Sequence, residues 1–113
     1  MAGKWVVRLA ETAQQDLDSI YIWTYEHFGP TQAEHYRRVI LNTLKDLREG
    51  PHVIGATSHA ELPSHLRVLH VARKGRRGRH YAVFDAPATG GIRVVRILHD
   101  SMDMRRHVPK EPD

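Results

Sequence analysis

Two stretches of this chain repeat their apolar residues every three to four positions, and four shorter ones are dense in β-formers. From Glu11 onward, Ala13, Leu17, Ile20, Trp23, Thr24 and Phe28 form the stripe of an amphipathic helix. Trp23 is expected in the core on that account. Thr12 and Gln15 have capping-box spacing, and Gly29-Pro30 supplies a stop. A second stripe follows at once: Ala33, Tyr36, Ile40, Thr43, Leu44 and Leu47, with Thr31 and Glu34 at capping-box spacing and Gly50-Pro51 closing it. So short a link predicts a helical hairpin whose paired apolar faces need a further layer.

The β-rich runs are Lys4 to Leu9, Leu66 to Arg73, Arg79 to Asp85 and Ile92 to His99. Residues 51–65 read as a loop. Gly-containing segments at 74–78 and 86–91 are short enough for hairpins. The predicted order is β-α-α-β-β-β, an α+β fold with the helical hairpin on one face of a mostly antiparallel four-stranded sheet. A helical turn is expected after His99 and a frayed end from Pro109. The last strand resists parity: Val95 and Ile97 share a face with Arg93 and His99, while Val94 and Leu98 share the other with Arg96. Apolar residues on both sides leave two readings open, coverage by a partner or coverage by a loop of the same chain.

Length and composition narrow the class. At 113 residues the chain is read as one domain (1–113), with a core at about 4–109 and a flexible tail at 110–113. It has no cysteine, so disulfide scaffolds, thiol nucleophiles and cysteine-based zinc sites are excluded. No His-Glu-x-x-His occurs, and no cofactor or metal is expected. No apolar run approaches the roughly 18 residues of a membrane helix, and the N-terminus lacks a leader's apolar core. A cytoplasmic protein without membrane association is expected. Asp16 and Asp18 diverge on their helix and form no acid–base pair.

Charge adds a direction. Residues 1–65 hold six Lys/Arg against eight Asp/Glu, whereas residues 66–107 hold ten against three. Arg73, Lys74, Arg76, Arg77 and Arg79 place five cations in seven residues on one hairpin, expected to carry their charge outward toward phosphate or carboxylate. The segment has no aromatic residue on which a base could stack. A solvated turn whose charges discourage edge pairing is the competing reading.

The chain resembles the ParE/RelE toxin superfamily, and within it the ParE branch. Three stretches carry the likeness: Leu9-Ala-Glu-Thr-Ala-Gln-Gln-Asp-Leu17; Phe28-Gly29 with Ala33-Glu-His-Tyr36 and Leu47 to Pro51; and Val94-Val-Arg-Ile-Leu-His-Asp-Ser-Met-Asp103 followed by Arg106-His107. The resemblance implies a toxin that a cognate antitoxin neutralises in a hetero-oligomeric complex. ParE-like toxins poison DNA gyrase by binding, which needs no catalytic residue. RelE-like relatives cut messenger RNA on the ribosome. For that chemistry His99 and His70 are candidate acid–base groups, with Arg79 and Arg96 as phosphate clamps. Such ribonucleases place a Tyr near the C-terminus, and this tail has none. A third alternative is an inactive, antitoxin-binding module. Candidate contacts for target or antitoxin are Arg73, Lys74, Arg76, Arg77, Arg79, Arg96, His99, Arg105 and Arg106. For His99 the competing role is structural, fixing the C-terminal turn with Asp103 as partner.

Overall fold

The computed structural model describes residues 4–107, with the backbone alone for Arg105. The expected frayed end from Pro109 lies outside the described residues, as does the side chain of Arg105. Strand β1 is Val7–Leu9, helix α1 Glu11–Phe28 and helix α2 Pro30–Asp46, which ends in a 3-10 turn at Leu47–Glu49. Strands β2 (Leu66–His70), β3 (His80–Asp85) and β4 (Ile92–His99) follow, then one helical turn, α3 (Met104–His107). The sheet order is β1-β4-β3-β2, with β1 parallel to β4 and the other neighbours antiparallel. The two helices pack on one face of this sheet, as the apolar pattern predicted.

Neither expected capping box forms. Ala10 stands at the N-cap of α1 without a side-chain bond, and Thr12 Oγ1 instead donates to Val95 O of β4 at 2.7 Å. One residue, Gly29, serves both helices: its N–H closes α1 on Tyr25 O, and its C=O accepts from Ala33 N. Its φ of +88° suits glycine, and Pro30 fits the first helical position because its missing N–H would have no partner there.

The parity problem in β4 is resolved by a bulge. Val83 pairs with Arg96 while Phe84 pairs with Val94, so Val95 is the extra residue. Alternation restarts beyond it. Val94 and Ile97 join the helix-side core with Leu17, Ile40, Leu44, Leu69 and Phe84. Val95 and Leu98 join a second cluster on the opposite face with Leu66, Tyr81 and Val83. That face is covered from within the chain, by Leu62 of the long loop and Met104 of α3. A loop, not a partner, accounts for the two-sided apolarity.

Ion pairs then tie the layers together. Arg96 grips Asp16 of α1 with two nitrogens, at 2.7 and 2.9 Å, and Ile97 N–H donates to the same carboxylate at 2.9 Å. Arg96 also donates to His107 O at 2.6 Å. Asp46, at the end of α2, draws in Arg73 at 3.0 Å and Arg76 at 2.7 Å. Arg73 reaches on to Ile54 O. These side chains are only 13%, 19% and, for Asp46, 14% exposed. Burial alone would raise the Asp46 carboxyl, but the Arg76 and Arg73 hydrogen bonds prevail and hold it below the usual carboxylate range.

Candidate functional site

The elements meet around a groove of about 860 Å³ at one end of the hairpin. The second half of α1 supplies Ile20, Trp23, Thr24 and Phe28, and the start of α2 supplies Gln32, His35 and Tyr36. The β2–β3 loop contributes Arg77, Gly78 and Arg79; His80, His99, Ser101 and Met102 complete it. Trp23 is therefore not core. It is 54% exposed, as Phe28 is 64%, because α1 carries its apolar stripe past the part that the sheet covers. The indole stacks on His27 at 4.0 Å, and Phe28 tilts against it at 5.9 Å.

The floor is a chain of hydrogen bonds. Arg79 N–H donates to the Tyr36 hydroxyl at 3.1 Å, and that hydroxyl shares a hydrogen bond with His80 Nδ1 at 2.7 Å. Burial, and then the neighbouring His99, push His80 down to about 4, so its ring is neutral at physiological pH. Burial pushes the Tyr36 phenol up. The His80 and His99 rings meet edge to face at 5.1 Å. Gly78 makes this possible. A Cβ there would lie 2.6 Å from the Tyr36 hydroxyl and 2.4 Å from Val71 Cγ2, so only glycine lets the loop pass over the ring.

Beside the groove, Asp100 accepts from Arg79 Nε at 3.0 Å and from His70 Nε2 at 3.1 Å. His70 Nδ1 accepts from Ala72 N–H, which leaves the ring proton on Nε2. The Arg79 hydrogen bond, then that of His70, holds Asp100 at about 2. His99 fixes the turn after β4, as its structural reading expected, but its Nδ1 bonds Ser101, at 3.1 Å to the backbone N–H and 2.7 Å to the hydroxyl.

The structure divides the predicted contact residues. His99, Arg77 and Arg79 reach the groove; His70 stands behind it through Asp100. Arg73 and Arg76 do not carry their charge outward. They fold onto the helical side against Asp46, with Lys74 3.6 Å from the same carboxylate. Arg96 is spent on Asp16, away from the groove. Arg106 is exposed, 3.8 Å from Asp103. Arg77 is exposed, with no ion pair among the described residues. Sequence reasoning missed Trp23, Phe28, Tyr36 and His80. The Gly78 that admits Tyr36 was a visible signal, though spacing alone could not say which ring it faces. Among the described residues no group of three or more His, Asp or Glu side chains is placed to hold a metal ion, and no helix is long and apolar enough to cross a membrane.

The helical hairpin on a sheet of order β1-β4-β3-β2 defines the α+β scaffold of the small type II toxins. A structure described as the "Chromosomal ParDE TA system from P. aeruginosa" superposes with a TM-score of 0.72 at 24% identity, covering 87% of this chain and 98% of that one. The toxin-antitoxin complex RelBE2 from Mycobacterium tuberculosis gives 0.57 at 18% identity, covering 85% and 98%. At those identities the likeness is one of fold. The profile of the "ParE toxin of type II toxin-antitoxin system, parDE" matches residues 7–104. Toxin ParE1 of Mycobacterium tuberculosis is 31% identical over 100 residues, 88% of this chain and 94% of the relative. Toxin ParE1 of Caulobacter vibrioides is 29% identical over 103 residues, covering 89% and 95%. The chain belongs to the ParE toxin family.

Proposed function

We propose that this toxin acts by binding DNA gyrase, and that a cognate antitoxin silences it by laying an apolar and acidic segment along the groove. The observation that carries this is the family match, which runs through nearly every element from Val7 to Met104. The groove supports it: the half-buried Ile20 and the exposed Trp23 and Phe28 line it together with the cations Arg77 and Arg79. Such a surface suits an amphipathic acidic segment that folds as it binds. The toxin works in the cytoplasm as a single domain, and inhibition needs no cofactor. Arg77, Arg79, His99 and Arg106 are the predicted contacts that remain available for this role; Arg73, Lys74, Arg76 and Arg96 act indirectly, by holding the hairpin and α1 in place. The test is a supercoiling assay with purified protein. Inhibition without cleavage of added messenger RNA is the expected result. Intact supercoiling alongside ribosome-dependent cleavage of transcripts would overturn it.

A RelE-like ribonuclease is the second reading. One observation favours it: Tyr36, from α2, reaches the groove beside His80 and His99. The tail lacks a Tyr, but the site does not.

A further inference from the structure

The segment of residues 73–79 lacks an aromatic residue, and on that ground a single-strand platform was unexpected. The fold reverses this by bringing rings from another element to the same groove. Trp23 and Phe28 stand more than half exposed on its wall. His27 backs the indole at 4.0 Å, so the ridge is stiffened by stacking. Arg77, from the β2–β3 loop, is exposed along the same groove. Arg73, Lys74 and Arg76 are committed to Asp46, and Arg79 to Asp100. Arg77 alone in the segment has no ion pair among the described residues, and it lines the groove. Gln32, His35 and Ser101 add polar groups around the rim.

A ligand that fits both sides must offer flat π-faces to one and separated negative charges to the other. A single-stranded nucleic acid does so, because every base has a stackable face and every link one phosphate. A duplex does not, since its bases are already stacked and paired. We infer that the open groove is a binding site for single-stranded nucleic acid, with bases stacked on Trp23 and Phe28 and a phosphate held by Arg77, Arg79 standing beside it. This rests on the reading of the groove as the toxin's working face. It adds the class of ligand gripped there once an antitoxin segment is absent. RNA and DNA share the bases and phosphates the groove would use.

Fluorescence anisotropy with the full purified chain tests this, using labelled oligothymidine and oligouridine of about eight nucleotides, within the site size of small single-strand binders. The expected result is saturable binding at low salt, at least about tenfold tighter than to a duplex of equal length. Trp23→Ala should weaken it by roughly tenfold or more, the loss of one stacked base. Arg77→Ala should flatten the salt dependence by about 0.7 in log K against log salt, one phosphate contact on a single strand. Both side chains are exposed, so circular dichroism should show the variants folded. Equal affinity for the two oligomers means that base and phosphate suffice; tighter oligouridine assigns the ligand as RNA. No binding overturns the proposal, as does binding that ignores Trp23→Ala and takes duplex equally. So does a groove that binds a synthetic acidic amphipathic helix but neither oligomer. If the oligomers fail while supercoiling is still inhibited, this inference falls and the gyrase reading stands; the reverse pattern spares the groove and removes the target.

Discussion

Replacing Asp16 by Ala should destabilise this protein substantially, because it unpairs a half-buried guanidinium. Asp16 accepts three hydrogen bonds, two from the Arg96 guanidinium and one from the Ile97 amide. The side chains are 16% and 24% exposed, so water replaces the lost partner only in part. Removing one partner of a buried pair costs about 3–5 kcal/mol. Partial exposure, and the bond Arg96 keeps to His107 O, bring the expectation to about 2–4 kcal/mol. For a chain of 113 residues that is a fall in Tm of about 8–17 °C, at an unfolding entropy near 2.1 cal/mol/K per residue. Urea unfolding of Asp16→Ala, Arg96→Ala and the double variant closes a cycle, with an expected coupling of at least about 1 kcal/mol. Asp16→Asn should lose less, because its side-chain oxygen still accepts from Ile97 N–H. A loss under about 1 kcal/mol for Asp16→Ala, or additive single variants, would refute the claim that this pair clamps α1 to β4.

Gly78→Ala should cost about 1–3 kcal/mol, because its Cβ meets Tyr36 and Val71 at distances no side chain tolerates; unchanged unfolding and an unmoved Tyr36–His80 contact in a crystal structure would disprove it. Phe84→Ala, in the centre of the helix-side core with no exposed surface, should cost about 3–5 kcal/mol by urea titration, and a loss below 1.5 would contradict the packing described. His80 gives a pH signature. The unfolded chain takes its proton below about 6.5, whereas the folded chain refuses it until about 4. The stability from a neutral His80 is therefore whole above 6.5, declines as pH falls from 6.5 to 4, and is absent below. The decline is on the order of 3 kcal/mol, reduced by solvent screening of this half-buried ring, read as a shift in urea midpoint that shrinks in His80→Gln. An equal shift in that variant would assign it elsewhere.

Much of the architecture was legible in local pattern, because helix and strand periods act over a few residues. The two stripes set both helices, and Gly29-Pro30 marked their junction. What local pattern missed depends on distance. Capping-box spacing at Thr12 and Thr31 was real, yet Thr12 is drawn to Val95, 83 residues away, and a one-residue junction leaves the second cap to Gly29. The bulge at Val95 inverts the parity of everything after it, and no alternation rule announces a bulge. The stripe of α1 identified its apolar face but not where the sheet beneath it ends, so Trp23 and Phe28 read as core. The arginines of the hairpin read as outward because their partner, Asp46, lies 27 and 30 residues upstream. The groove was invisible for the same reason: its aromatic wall and Arg77 come from opposite halves of the chain.

The most direct test of the groove as the working face is gyrase supercoiling measured with the wild-type chain and Trp23→Glu side by side. Trp23 is more than half exposed, so the variant should fold and unfold like the parent, within about 1 kcal/mol. The account predicts that half-inhibition then requires at least about tenfold more protein, a loss of about 1.4 kcal/mol in binding. Equal inhibition by a folded Trp23→Glu variant would contradict it.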